Sequence, residues 1–222
     1  MKLRNVILQL LFPEKCVLCR SVLDKDELDL CRSCRVQAPE LSTSRKKLPF
    51  LDSWVAVWYY EKDARKSLLR YKFGRKRSYA QSYGRLLGMK LLQEYSEGFD
   101  LLTWVPTGWL KRLTRGFDQC QLLAEAVGKE LGMEPQPLMC KIRSNKTQST
   151  IHGEAKRRAN VLGVYKVTDP EQVKDKRILL LDDIITTGAT AGECARILLT
   201  AGALEVHCGA VAAARHQAKS SR

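Results

Sequence analysis

The residues best suited to chemistry are two adjacent carboxylates, Asp182 and Asp183, which follow an apolar run at residues 178–181. Such a run is typical of a strand that is buried on both faces of a parallel sheet. Ligands of open parallel sheets bind at the carboxyl ends of the strands, so we expect the two carboxylates at a binding edge. Beyond them the chain offers hydroxyl groups and a permissive backbone at Thr186, Thr187, Gly188, Ala189 and Thr190.

This threonine-rich loop is suited to a phosphate monoester. Its hydroxyls donate hydrogen bonds, and the helix predicted from residue 190 turns free N–H groups and its positive dipole end toward the loop. The neighbouring carboxylates would repel a phosphate, so they need vicinal hydroxyls or a divalent ion as their partner. Ribose 5-phosphate carries both a phosphate and a diol and meets both requirements. The alternative is a solvated acidic turn after a core strand.

Four cysteines form two closely spaced pairs, Cys16 with Cys19 and Cys31 with Cys34, and eleven residues separate the pairs. Each pair can present two thiolates to one ion, and two pairs complete the tetrahedral shell that Zn²⁺ favours. The alternatives are a redox pair or an iron–sulfur cluster, but the doubled spacing favours closed, structural zinc. The single cysteines are expected to pack as small hydrophobic residues: Cys120, Cys140, Cys194 and Cys208.

The positive charge of the chain is concentrated in two stretches. Of a formal net charge of +14, residues 62–90 contribute ten Lys/Arg against one acid, and residues 141–158 contribute six against one. Such a field attracts polyanions, unless it only solubilises the surface. No apolar run approaches the ~18 residues that a membrane-spanning helix needs. Nor does the N-terminus carry a signal-peptide cleavage site, so we expect a cytoplasmic protein.

The element pattern predicts a small cysteine module at residues 1–48 and an α/β domain at residues 49–222. In the second part, β-branched and apolar runs alternate with segments of helical spacing, which favours a parallel sheet flanked by helices. Strands are predicted at 54–60, 101–105, 178–181 and 206–213, and helices at 63–72, 79–95, 118–131 and 190–201.

Aromatic residues are interleaved with the cations of the first basic stretch, a composition that suits single-stranded nucleic acid through stacking and phosphate contacts. The alternative is that the aromatic rings face the core while the cations face water. The candidate nucleic-acid-binding residues are Arg70, Lys72, Arg75, Lys76, Arg77, Arg157 and Arg158.

Residues 178–190 resemble the binding motif for 5-phosphoribosyl-1-pyrophosphate (PRPP) of type I phosphoribosyltransferases: four apolar residues, two acids, then Thr-Thr-Gly-x-Thr. The resemblance implies that Asp182 and Asp183 hold the ribose hydroxyls and that residues 186–190 hold the 5-phosphate. It also implies Mg²⁺ between the ribose oxygens and the pyrophosphate, with most of its waters retained.

More of the chain resembles the ComF-like competence proteins, which join a cysteine-paired zinc module to a phosphoribosyltransferase-like domain. The similarity includes residues 105–106, 112–119 and 123–124. It implies that residues 1–48 are a zinc ribbon-like module and that residues 49–222 have the type I phosphoribosyltransferase fold. Two positions depart from the family pattern: Asp118 stands in place of Asn, and Thr107-Gly108 replaces the usual residues after Val-Pro.

Two further segments have more than one interpretation. Arg112 and Arg115 are either bidentate donors to a leaving pyrophosphate or ordinary surface arginines. Residues 143–158 are a mobile hood over the substrate, a nucleic-acid-binding surface, or a solvated loop.

Three functions follow from these residues and resemblances. The first is a competence-type protein with a PRPP-type site, acting in DNA uptake through single-stranded DNA and other proteins of the competence machinery. The second is an active phosphoribosyltransferase, in which an amine or nucleobase attacks C1 of the ribose as pyrophosphate leaves. The third is a non-catalytic adaptor whose zinc module docks a partner.

Overall fold

Four parallel strands form the centre of the structure. The structure is a computed structural model, and it describes residues 13–41, 47–74, 76–108, 112–114, 116–145 and 153–215. The predicted residues Arg75 and Arg115 lie outside the described residues, as do residues 146–152 of the predicted hood. The strands are β1 (Ser53–Tyr59), β2 (Leu101–Trp104), β3 (Met139–Lys141), β4 (Tyr165–Val167), β5 (Arg177–Ile185) and β6 (Glu205–Ala213). The helices are α1 (Arg32–Gln37), α2 (Lys62–Phe73), α3 (Tyr79–Glu94), α4 (Gln119–Leu131), α5 (Glu154–Val161), α6 (Pro170–Val173) and α7 (Ala189–Thr200).

The strand order of the main sheet is β1-β6-β5-β2, and every neighbouring pair is parallel. This confirms the predicted parallel sheet. Alternate residues of β5 supply the two cores, Ile178 and Leu180 on one face, Leu179 and Leu181 on the other. Helix α7 covers the first face, and α2, α3 and α4 cover the second, so β5 is buried on both sides, as its apolar run predicts.

The acid pair lies inside β5 rather than after it. The predicted strand ended at residue 181, but the ladder with β6 continues through Asp182 paired with Ala210 to Ile185 paired with Ala213. Strand β6 stays apolar to that point, so it can pair with the acidic segment as well. Since successive side chains of a strand point to opposite faces, Asp182 and Asp183 leave the sheet in different directions.

A second, antiparallel sheet of β3 and β4 packs beside α7, and the sequence patterns did not predict it. Part of the predicted hood is the helix α5, which also contacts α7. Cys120, Cys194 and Cys208 are buried, which confirms that they pack as small residues. For Cys140 that prediction is wrong, because its side chain lies on the exposed side of the short strand β3.

The cysteine segment packs against the α/β domain. Val17 and Leu18 are buried in the same core as Leu68 of α2. The carboxylate of Asp29 forms an ion pair of 2.5 Å with Arg85 of α3. In the part of the chain that the structure describes, no helix has both the length and the hydropathy that crossing a membrane requires.

Helices α3 and α4 approach closely at Gly84. A Cβ atom at this position would contact the Cβ atom of Ala126 and lie 2.8 Å from its carbonyl carbon. Backbone cannot yield as a flexible side chain does, so the helices must move apart to accept a larger residue.

We therefore expect Gly84→Ala to lower the free energy of unfolding by roughly 1–3 kcal/mol, despite the ~1 kcal/mol that alanine gains in a helix. Urea denaturation measures this change. The control is Gln81→Ala, at an exposed position of the same helix, which should stay within about 0.5 kcal/mol of the unchanged protein. Equal stability of all three proteins would contradict the close packing.

Candidate ligand-binding pocket

A cavity of about 290 Å³ lies at the carboxyl end of the sheet. Both carboxylates of the acid pair line it, together with the residues that follow β2. Of the threonine-rich loop, Thr186 and Thr190 reach the cavity, whereas Thr187 is not among the lining residues. The side chains predicted to bind a phosphate and those predicted to bind a diol therefore line the same cavity.

The carboxylate of Asp183 pairs with Lys72, with 2.9 Å between Oδ2 and Nζ. Lys72 is the penultimate residue of α2, which covers the face of the sheet toward which Asp183 points. Burial by itself would lower the pKa of Lys72, but the charge of Asp183 and the hydrogen bond to it outweigh burial and raise the pKa. Lys72, predicted as a nucleic-acid-binding residue, is thus placed at the pocket, with 20% of its side chain exposed.

Asp182 is held differently, by groups that donate weak or neutral hydrogen bonds. Its Oδ1 accepts from the N–H of Asp183 at 2.8 Å and from the thiol of Cys120 at 3.6 Å. Burial, and next the negative charge of Asp183, raise the pKa of Asp182 to about 7. Burial likewise raises the pKa of the Cys120 thiol well above its usual range, so this thiol remains a donor. Asp182 therefore holds its proton to a higher pH than an ordinary aspartic acid does.

The acid pair can serve a divalent cation as well as a diol. Oxygen atoms of Asp182 and Asp183 and the sulfur of Cys120 all lie within 4.8 Å of one another. Mg²⁺ prefers oxygen ligands and retains its waters, so only the two carboxylates fit it as partners. A protonated thiol is not a ligand for so hard an ion.

The conformation of the threonine-rich loop depends on Gly188. Its φ angle of +74° is in the left-handed region, and a Cβ atom there would lie 2.7 Å from the side chain of Leu48. The hydroxyl of Thr187 accepts a hydrogen bond from the N–H of Ala189 at 3.4 Å, within the loop itself. Helix α7 begins at Ala189, so its first N–H groups face the loop as predicted.

The two departures from the family pattern contact each other. The carboxylate of Asp118 accepts hydrogen bonds from both the N–H and the hydroxyl of Thr107, each at 3.0 Å. It also caps α4 by accepting from the N–H groups of Cys120 and Gln121. All four partners are donors, which suits a carboxylate better than the amide of asparagine. Asp118 thus ties the loop after β2 to the start of α4.

Among the described residues, the cations that line the pocket do not include Arg112, which was predicted to bind pyrophosphate. Lys141 of β3 and Arg157 of α5 line the cavity, and Lys141 is not among the predicted site residues although it begins the second basic stretch. Arg157 was predicted as a nucleic-acid-binding residue. Arg112 is exposed and lines a separate depression with Arg77, away from the acid pair. The structure therefore brings together the acid pair, two threonines of the threonine-rich loop, and cations from two helices and one strand. It does not bring Arg112 to this cavity.

The predicted nucleic-acid-binding residues also differ from one another in their surroundings. Arg70 donates to the carbonyl oxygens of Val17 and Leu18. Arg77 donates to the carbonyl of Gly116. Lys76 and Arg158 are exposed.

The four paired cysteines converge as the zinc prediction requires. Their sulfur atoms all lie within 4.8 Å of one another, and the sulfurs of Cys19 and Cys31 are 3.7 Å apart. Tetrahedral Zn²⁺ with Zn–S bonds of ~2.3 Å needs sulfurs separated by ~3.8 Å. The cluster therefore fits structural zinc, held by Cys16, Cys19, Cys31 and Cys34.

Two family models match the chain. The model of the phosphoribosyl transferase domain matches residues 119–222, and the model of the double zinc ribbon domain matches residues 7–45. The first match includes the acid pair and the threonine-rich loop, and the second includes all four clustered cysteines. The order of the two matches is the predicted one, which confirms the resemblance to proteins that join these two modules.

The chain is also similar to bacterial proteins over most of its length. It is 28% identical over 200 residues to the DNA utilization protein YhgH of Salmonella typhi and 26% identical to that of Escherichia coli strain K12, and each alignment covers 86% of both chains. It is 22% identical over 227 residues to Competence protein F of Haemophilus influenzae, covering 91% of this chain and 98% of the other.

Among solved structures, similarity extends to the allosteric regulatory enzyme of purine biosynthesis and to the glutamine PRPP amidotransferase of B. subtilis. Each is 25% identical to this chain, with a TM-score of 0.40, and the match covers 59% of this chain. The matched region covers only 25% and 26% of those chains, respectively.

The raised pKa of Asp182 predicts a pH-dependent stability. In the folded protein Asp182 keeps its proton up to about pH 7, whereas in the unfolded chain it loses the proton near 3.8. The folded state thus binds more protons between these limits, so the contribution of Asp182 to stability falls as pH rises from about 4 to 7 and then stays constant.

The variant Asp182→Asn lacks this titration and keeps the oxygen that accepts from Asp183. Relative to the unchanged protein, its free energy of unfolding should rise by roughly 1–4 kcal/mol across this pH window. Urea denaturation of both proteins at pH 4.5, 6 and 7.5 measures the difference. A difference that does not change with pH would show that Asp182 is ionised throughout.

Proposed function

We propose that this chain, which resembles the ComF-like competence proteins in its cysteine module and its sheet domain, binds PRPP or a related phosphorylated ribose and acts in DNA utilisation. One observation carries the ligand assignment. The acid pair and the hydroxyls of Thr186 and Thr190 line the same cavity, so one small molecule can contact both. A phosphate on one side and a diol on the other is the chemistry that these two groups recognise.

In this proposal the ribose lies over the acid pair. Asp182 and Asp183 accept hydrogen bonds from its vicinal hydroxyls, and residues 186–190 receive the 5-phosphate together with the N–H groups that begin α7. The side chains of Thr186 and Thr190 contact the phosphate directly. Thr187 acts through the backbone that its hydroxyl holds.

The pyrophosphate of PRPP lies against the loop after β2. Lys141 and Arg157 line the cavity there and supply the positive charge that was first expected from Arg112 and Arg115. The side chain of Lys141 passes within 3.7 Å of the position that a Cβ atom on Gly108 would occupy, so this loop and its cation are close neighbours. Bound Mg²⁺ would supply charge neutralisation between ribose and pyrophosphate, with the acid pair as its protein partner.

Transfer of the phosphoribosyl group would use these same contacts. An amine or nucleobase would form a bond to C1 while the bond from C1 to the pyrophosphate oxygen breaks, and the acceptor nitrogen would lose its proton. Pyrophosphate release on addition of an acceptor distinguishes this enzyme from a protein that binds PRPP without turnover.

The role in DNA utilisation rests on the relatives and on charge. Proteins similar to this one over 86% or more of the chain are named for DNA utilisation and for competence. The two basic stretches give the surface the sign that nucleic-acid phosphates require. We assign single-stranded DNA to these two stretches, with Lys76 and Arg158 among their exposed cations, and place the protein in the cytoplasm.

The PRPP site is tested by calorimetry with PRPP and Mg²⁺. The double variant Asp182→Asn/Asp183→Asn keeps the size of both side chains but replaces both carboxyl groups with amides, and a hydrogen bond to a charged acceptor is worth ~1.5–3 kcal/mol. Affinity should fall at least tenfold. Asp169→Asn, at an exposed position outside the pocket, should bind as the unchanged protein does. Equal binding by all three proteins would contradict the site.

The DNA surface is tested by gel shifts with single-stranded DNA over a series of salt concentrations. The logarithm of the binding constant should fall linearly with the logarithm of salt concentration. The double variant Lys76→Ala/Arg158→Ala should bind more weakly, with the slope reduced by about 1–2. Lys129→Ala removes an exposed cation outside both basic stretches and is the matched control. Binding that is insensitive to salt would overturn the assignment.

A further inference from the structure

Helix α2 contacts both the cysteine cluster and the pocket. Near its middle, Ser67 and Arg70 hydrogen-bond to the cysteine segment, and near its end Lys72 pairs with Asp183. Few residues separate these contacts, so one short, continuous helix joins the cysteine segment to the pocket.

The contacts with the cysteine segment are made at one metal-binding turn. Val17 and Leu18 are the two residues between Cys16 and Cys19, and their carbonyl oxygens accept from α2. The hydroxyl of Ser67 donates to Val17. The guanidinium of Arg70 donates to Leu18 and, at 3.3 Å, to Val17 as well.

This turn is also packed firmly against the helix. The side chains of Val17 and Leu18 are each about 1% exposed and share a core with Leu68 and Tyr71 of α2. The hydroxyl of Ser67 lies 2.6 Å from that of Tyr83, which ties the same point to α3. The position of α2 therefore depends on the shape of the turn that Cys16 and Cys19 impose.

At the pocket, the charge of Lys72 meets a local requirement. Two adjacent buried carboxylates repel each other, and burial removes much of the water that would screen them. Lys72 supplies the opposite charge at 2.9 Å from Asp183, while Asp182 has no ion pair within the described residues. The hydroxyl of the neighbouring Tyr71 donates to the carbonyl of Gln119 at 2.7 Å, so the end of α2 is anchored at the pocket.

We propose that Lys72 is a positioning residue of the pocket, which holds the carboxylate of Asp183 in place through their ion pair, and that the turn between Cys16 and Cys19 sets the place of Lys72 through α2. The metal module then controls the ligand site. Because linkage is reciprocal, ligand binding and metal loading reinforce each other. The part of this inference that concerns ligand affinity rests on the proposed function, whereas the position of Lys72 does not.

The position of Lys72 is tested by lysine acylation followed by mass spectrometry, which needs no ligand. Its ion pair and burial should make Lys72 react slowly, and Asp183→Asn should raise its reactivity several-fold. Arg70→Ala should raise it as well, because α2 loses its hold on the turn. Ser67→Ala removes only one hydrogen bond to the same turn and should give a smaller increase. This second variant keeps the test decisive if Arg70→Ala does not fold.

Arg85→Ala is the matched control. It also removes an arginine that docks the cysteine segment, through Asp29, but Arg85 lies on α3, which contributes no residue to the pocket lining. All these variants should retain zinc as measured by elemental analysis. Lys72 should stay protected in Arg85→Ala. Equal reactivity of Lys72 in Arg70→Ala, Ser67→Ala and Arg85→Ala would overturn the inference.

The consequence for the ligand is measured by calorimetry with PRPP and Mg²⁺. We expect about tenfold weaker binding for Arg70→Ala and for Lys72→Met, partial recovery for Lys72→Arg, and no change for Arg85→Ala. Adding Arg70→Ala to Lys72→Met should cause little further loss, because both act through one contact. Independent, additive losses would overturn the proposed route. Absence of PRPP binding by the unchanged protein would overturn the proposed function instead, and acylation would still decide the position of Lys72.

Discussion

The burial of two adjacent carboxylates at the end of a central strand is the constraint that the surrounding structure satisfies. Uncompensated charges there would be costly, because neighbouring negative charges repel and burial penalises each of them. Three different groups meet this demand: an ammonium from α2, a thiol from α4 and a backbone N–H within β5. The positions of α2 and α4 relative to the sheet are thereby linked to the positions of the two carboxylates.

The cysteine module is part of the same arrangement rather than a separate attachment. Its buried Val17 and Leu18 complete the core that α2 and α3 begin, and Asp29 adds an ion pair with Arg85. A segment this short buries too little apolar surface to be stable alone, so metal binding and docking together hold it. The helix that receives it also carries Lys72, and structural metal thus lies one element away from the candidate ligand site.

Departures from a family pattern are informative when they contact each other. Thr107 and Asp118 each differ from the usual residue, and the structure shows the hydroxyl and N–H of one donating to the carboxylate of the other. The sequence placed these residues in separate motifs eleven positions apart. Folding brings them together because the loop after β2 runs past the beginning of α4, and a carboxylate there satisfies four donors at once.

The sequence by itself determined the parallel sheet, the acid pair with its threonine-rich loop, and the metal-binding cysteines. These features are encoded within short segments, in apolar runs and fixed spacings. It did not determine that β5 continues through Asp182, since that depends on pairing with β6. Nor did it indicate that Lys72 and Lys141 line the pocket while Arg112 lies elsewhere. The composition of a basic stretch does not distinguish one of its cations from another. Only the packing of α2 and β3 decides which of these charges lie near the carboxylates.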